Sequence, residues 1–177
     1  MLKNKLKQFL ILFIIGFVSY ICLEVFFGSS SGAFFKEAFC LDKSYWSLMG
    51  MSSMWMGLVG GITFISLGLI NENKFIRFKV PYILQFILGG LIITGYELLS
   101  GIILNLGLGL NIWDYSTRFW NFLGQINLYT SIIWFIISPF GFWLDDLIRN
   151  LFKCRWFGTK SLGTYYLNVI LNKHPWK

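Results

Sequence analysis

Two glutamates interrupt stretches of this sequence that are otherwise free of charge. Glu24 and Glu97 each lie deep inside an apolar run. A carboxylate in hydrocarbon is costly, so an acid at such a place is functional by default and needs a partner. Glu97, Gly101 and Asn105 recur every fourth residue, which puts them on one helical face. The loop that follows carries Asn111, Asp114, Tyr115, Arg118 and Asn121, with Gln125 just beyond. Arg118 is the only base in that loop and the expected counter-ion for Glu97 or Asp114. Charge pairing and hydrogen bonding are the chemistry these types supply. The candidate substrate-binding residues are therefore Glu24, Glu97, Asn105, Asp114, Tyr115, Arg118, Asn121 and Gln125. No nucleophile and base stand at a recognisable spacing, so no catalytic residue is assigned and an enzyme is not the first expectation.

Other chemistries lack their residues. The only histidine is His174, and Cys22, Cys40 and Cys154 are scattered. No set of nitrogen and sulfur ligands exists for a metal, no disulfide is expected, and no cofactor is implied. A phosphate-binding glycine-lysine loop is missing as well, so the chain cannot hydrolyse ATP alone.

The elements that must position the acids follow from composition. The chain has 177 residues, 56% hydrophobic and 20% aromatic, and only 13% charged. A soluble domain is about 25% charged. With a mean hydropathy of +0.64 this chain cannot wet a globular surface, which excludes a soluble enzyme. The same composition excludes disorder. A bilayer core about 30 Å thick takes about 20 apolar helical residues, and four runs qualify. The expected fold is all-α, a polytopic membrane protein with helices near 8–27, 47–70, 80–104 and 123–145. The runs are continuous, whereas barrel strands alternate. Residues 1–147 form a single transmembrane domain, and 148–177 a basic tail.

Lysine and arginine orient the spans. Lys3, Lys5 and Lys7, then Lys74, Arg77 and Lys79, then six basic residues from Arg149 to Lys177 make twelve of the fifteen. Positive loops stay in the cytoplasm, so both termini are expected there, in the cytoplasmic membrane. This asymmetry accounts for the net charge of +7 without nucleic acid. The tail, with Trp156, Tyr165, Tyr166 and Trp176 among its lysines, is expected on anionic headgroups. Asp145 and Asp146 end the fourth helix and are expected to be solvated. The first helix, followed by Gly28-Ser29-Ser30-Ser31-Gly32-Ala33, also has the outline of a secretory signal. Glu24 is awkward in one, and the helix is read as a span.

An internal repeat organises the spans. Phe13–Gly28 lies over Phe86–Gly101 without a gap, matching Gly16 with Gly89, Glu24 with Glu97 and Gly28 with Gly101. One residue out of register, Trp46 and Gly50 lie over Trp120 and Gly124. The expected architecture is two pseudo-symmetric parallel-repeat hairpins, 9–70 and 80–145, related by an axis along the membrane normal. Small residues at Gly50, Ser53, Gly57 and Gly61, and at Gly90, Thr94 and Gly101, would let the halves approach.

Glu97, Ser100, Gly101, Asn105, the block Trp113-Asp114-Tyr115-Ser116, and then Asn121, Gly124, Gln125 and Ile126 carry a likeness to a known family. They resemble the CmpB-type family of bacterial ABC-transporter permeases, over about residues 10–140. The resemblance implies a transport component of the bacterial cytoplasmic membrane, working with a separate ATPase subunit. That ATPase would dock on Asn71–Lys79 or the basic tail. Four helices are few for a permease, so a homo-oligomer or other membrane subunits are expected beside the lipid bilayer. Two alternatives stand: an intramembrane enzyme acting on a lipid or lipid-linked substrate, and a non-transporting scaffold or sensor subunit.

Overall fold

The computed structural model describes residues 2–28 and 52–151. The expectations for Cys40 and Gly50, and for the tail with Cys154, lie outside the described residues. Among the described residues there are four long helices, α1 (Leu2–Gly28), α2 (Met54–Asn71), α4 (Tyr82–Gly101) and α5 (Leu128–Leu151), with the short α3 (Lys74–Lys79) between α2 and α4. All four are long and apolar enough to cross a membrane. This is an all-α membrane protein.

Local chemistry sets the boundaries. Ser53 is extended and its hydroxyl accepts from the Trp55 amide, so α2 starts at Met54 and not near residue 47. Asn73 caps α3, its Oδ1 accepting from the amides of Phe75 at 2.9 Å and Ile76 at 3.3 Å. Pro81 then separates two helices. It holds Val80 extended, as a residue before proline prefers, and leads into α4. Beyond Gly101 the helix widens into a π-helical segment, Ile102–Gly107.

The fourth span differs most from expectation. Residues 123–127 are not helical. Asn121–Phe122 (β1) pairs antiparallel with Ile126–Asn127 (β2), in register Asn121 with Asn127 and Phe122 with Ile126. The Gln125 amide donates to the Phe122 carbonyl at 3.0 Å, closing a turn whose central residues, Leu123 and Gly124, both have positive φ. That is the geometry of a type I′ hairpin turn. Asn127 then caps α5, its Oδ1 accepting from the Thr130 amide.

Glycines set how closely the helices pack. A Cβ on Gly57 would fall 2.6 Å from the Phe17 ring, and one on Gly61 2.6 Å from the Phe13 ring. The small-residue stripe of α2 is thus the seam with α1, inside one hairpin and not between the halves. Gly89 and Gly90 receive Phe142, Ser138 and Phe135 of α5 in the same way. So α1 lies along α2 and α4 along α5, with α2 also touching α4 and α5. Tyr20, Met56, Leu67, Ile93, Trp134 and Phe142 form the main core. Leu10, Ile14 and Val18 of α1, Leu84, Ile87 and Leu91 of α4, and Ile132, Ile136 and Phe140 of α5 face outward. An apolar exterior is what lipid requires. Pro139 inside α5 brings no amide to the Phe135 carbonyl. The Ser138 hydroxyl lies 3.3 Å from that carbonyl and 2.8 Å from the Phe86 carbonyl, so one donor serves the break and ties α5 to α4.

Asp145 and Asp146 are 0% and 2% exposed, which corrects the expectation that they are solvated. Arg77 grips Asp146 through both carboxylate oxygens, at 3.0 and 2.9 Å, and also donates to the Asn71 carbonyl and Oδ1. The Asn71 amide donates to Asp145 at 3.0 Å and to Asp146 at 2.9 Å. Arg149 pairs with Asp145 at 2.9 Å and with Glu72 at 3.4 Å. A Cβ on Gly68 would sit 2.6 Å from Asp145 Oδ1, so only glycine leaves that carboxylate its place. Gln85 of α4 completes the group, donating to the carbonyls of Ile76 at 3.1 Å and Val80 at 2.9 Å. The cluster fastens α3 to the ends of α2, α4 and α5.

Breaking a buried ion pair on one side costs about 3–5 kcal/mol, whereas replacing both partners by apolar groups is often neutral. Arg77→Ala should therefore lower the melting temperature of the purified protein sharply, and Arg77→Met combined with Asp146→Leu should recover much of the loss. A wild-type melting temperature for Arg77→Ala alone would contradict the buried cluster.

Candidate functional site

At the opposite end of the bundle, where α1 and α4 finish and α2 and α5 begin, the helices part around a cavity of about 800 Å³. The 18 residues of α2 give a rise of about 27 Å between this cavity and the ionic cluster. Each wall has a sequence origin. Tyr20 and Glu24 lie one turn apart on α1 and both line the space, as do Ser52, Ser53 and Met56 at the start of α2. Glu97 comes from α4, Asn127 from β2 at the cap of α5, and Thr130, Ile133 and Trp134 from the first turns of α5. The long connection supplies Ile112, Trp113, Tyr115, Arg118 and Phe119.

Glu97 is the fixed centre. It is 3% exposed. Its Oε2 accepts from the Trp134 indole at 2.8 Å and its Oε1 from the Tyr115 hydroxyl at 3.1 Å. Tyr20 stacks on Trp134 with ring centroids 5.7 Å apart, so that indole is held from two sides. Glu24 accepts a short hydrogen bond from the Ser52 hydroxyl and borders the same cavity from α1. Burial, and then the charge of Glu97, push the Tyr115 phenol well above its ordinary value. It therefore remains a neutral donor throughout the physiological range.

The candidate residues divide by role. Glu24, Glu97, Tyr115 and Arg118 line the cavity, while Asn105, Asp114, Asn121 and Gln125 build the wall behind it. The Asn105 amide donates to the Trp113 carbonyl at 3.0 Å and to Gln125 Oε1 at 2.8 Å, and its Oδ1 accepts from the Ile112 amide at 2.8 Å. The Trp113 indole donates to the Gln125 carbonyl at 2.9 Å. A wider π turn at the end of α4 presents Asn105 to this loop. Asp114 turns back on Ser116, accepting from its amide at 2.7 Å and its hydroxyl at 2.9 Å. The Asn121 amide donates to the carbonyls of Ser116 and Arg118, and its Oδ1 accepts from the Gly124 amide. A Cβ on Gly124, whose φ is +67°, would come within 2.8 Å of Asp114 Oδ1.

Two expectations change. Arg118 pairs with neither Glu97 nor Asp114 among the described residues, because neutral donors already hold both acids. It is exposed on the cavity rim. Tyr20, Ser52, Thr130 and Trp134 were not among the candidates. Tyr20, four residues before Glu24, could have been found from helical spacing. Trp134 gives no such signal, because it sits in an apolar run where an aromatic residue reads as lipid-facing.

Residues 8–171 match a family described as "Putative ABC-transporter type IV", and the chain belongs to that family. No curated protein and no solved structure matches the chain.

Asn105 satisfies three groups of the loop, one buried and two partly buried, and a stranded buried polar group costs about 1–3 kcal/mol. Asn105→Ala should speed amide hydrogen exchange across 112–127 while exchange in α2 stays slow. Unchanged exchange in that loop would mean that the β1–β2 hairpin holds it without Asn105.

Proposed function

We propose that this member of the ABC-transporter type IV family is the membrane-embedded, permease-like component of a transporter, with the Glu97 cavity as its solute site. The observation that carries the proposal is the cavity itself. A small-molecule site is typically a concave space of about 300–1,000 Å³ with a few convergent polar groups in a mostly apolar wall. A space of about 800 Å³ bordered by two glutamates, three tyrosines and an arginine has that character. Ionisable groups at such depth mark substrate paths in membrane proteins.

On this reading both termini and α3 lie in the cytoplasm of a bacterial cell, the protein sits in the cytoplasmic membrane and the cavity faces outside; the basic flanks, which stay on the cytoplasmic side, support the orientation. The duplicated Glu24 and Glu97 belong to pseudo-symmetric hairpins that together enclose the site. A separate ATPase subunit drives the cycle. Its docking point is α3, which the ionic cluster pins to the bundle while Phe75 stands 68% exposed beside Lys74. A push on α3 is passed through Arg77 and Asp146 directly into α5, whose other end lines the cavity. At least two copies, or a second membrane subunit, complete the transport path.

The test is affinity purification of the tagged full chain from native membranes. An ATP-hydrolysing subunit should co-purify, and Phe75→Asp should release it at least fivefold without lowering the yield of the tagged chain. The transporter reading fails if no ATPase is retained, and the docking point fails if retention ignores Phe75→Asp.

A further inference from the structure

The cavity selects the charge of what enters it. Two acids on its wall, Glu24 and Glu97, are acceptors. A carboxylate offers about four lone-pair sites. Glu97 uses one on each oxygen, for Trp134 and Tyr115, and Glu24 uses one for Ser52. Both acids therefore keep accepting capacity. Their protein partners are all neutral, and among the described residues no lysine or arginine pairs with either acid. A cation in direct contact with these acids is left for a ligand to bring.

The aromatic residues point the same way. Tyr20, Trp113, Tyr115, Phe119 and Trp134 border the space, and several are locked: Trp134 by Glu97 and the Tyr20 stack, Trp113 by the Gln125 carbonyl. Aromatic rings set around an acid are how proteins hold substituted ammonium groups, through the negative face of the ring. The rim carries the opposite sign. Arg118 is exposed there, with no acid of the described residues paired to it. Acceptors within, rings between and a guanidinium outside are a graded arrangement. It fits one molecule with both signs.

We infer that the Glu97 cavity binds a zwitterion, with its ammonium group against Glu24 and Glu97 among the aromatic rings and its anionic group toward Arg118. This rests on the solute-site reading above and names the class of solute. The same chemistry has two sources: a free solute of the betaine type, or the headgroup of a zwitterionic phospholipid.

The test uses the full chain, purified and placed in nanodiscs of phosphatidylglycerol alone. Isothermal titration is run with trimethylglycine, glycerophosphoethanolamine, choline and acetate. Saturable binding of the two zwitterions, weaker binding of choline and none of acetate is expected. Glu97→Gln should weaken zwitterion binding about tenfold or more, which is about 1.4 kcal/mol. Arg118→Ala should weaken the zwitterions but leave choline within about twofold. Glu24→Gln, at a half-buried position, provides a second loss of binding should Glu97→Gln fail to fold. Binding of acetate as tight as trimethylglycine, no saturation by any ammonium compound, or wild-type affinity in both glutamine variants would overturn the inference. Nanodiscs containing phosphatidylethanolamine separate the sources: loss of trimethylglycine binding there identifies the lipid headgroup as ligand, and unchanged binding identifies the free solute. Binding without any co-purified ATPase would leave the ligand class standing and remove the transporter. An ATPase on a protein that ignores every ammonium compound would do the reverse.

Discussion

A charge surrounded by lipid must find its partner inside the protein, and this chain is arranged around that constraint. Its long helices expose leucine, isoleucine and phenylalanine, and turn their few ionisable groups toward one another. The acids of the described bundle gather mainly at its two ends. At one end Arg77 and Arg149 neutralise Asp145 and Asp146, with Asn71 filling the remaining acceptors. At the other, Glu97 and Glu24 meet only neutral donors. The first arrangement is closed on itself and behaves as a fastener. The second keeps accepting capacity and borders open space. That difference, more than any motif, separates the fastened end from the end of the proposed site.

Close packing is what makes both ends possible. Gly57 and Gly61 let α1 settle on α2, so that Tyr20 and Glu24 reach the cavity wall. Gly68 leaves room for Asp145, and Gly89 and Gly90 admit the aromatic side chains of α5. The hairpin at 121–127 holds the long connection over the bundle, and Asn105 ties that connection to α4. Leu123 takes a positive φ there, a conformation L-residues rarely adopt. The strain is offset by three things formed nearby: the β1–β2 pair, the Asn121 bridges and the cap on α5.

The residues differ in how much of this could be read from the sequence. Glu24 and Glu97 announce themselves, because a charge in an apolar run is rare and the four-residue spacing to Gly101 and Asn105 fixes a face. Four spans follow from run length alone. The role of Asp145 and Asp146 does not, since Asn71 and Arg77 come from two other helices and an Arg149 four residues from Asp145 fits a solvated surface pair as well as a buried one. The glycine stripe gave its location but not its partner, because small residues permit contact without choosing a neighbour. Residues 123–127 look like a helix start by hydrophobicity. The Asn121 side chain, bonded to the Gly124 amide, and the Tyr115 amide, bonded to the Gly124 carbonyl, make them a turn. Arg118 was the natural counter-ion by sign, and Tyr115 with Trp134 displaced it by geometry.

The proposed transporter requires a water-accessible, polar cavity that opens between the helices on the outer side of the membrane. Single cysteines in a chain with Cys22, Cys40 and Cys154 replaced by serine test it directly, using a membrane-impermeant thiol reagent on intact cells. Thr130→Cys faces the cavity, and Ile132→Cys, two residues on, faces lipid. The account requires rapid labelling at 130 and none at 132. Equal labelling at both, or none at 130 until the cells are opened, would contradict it.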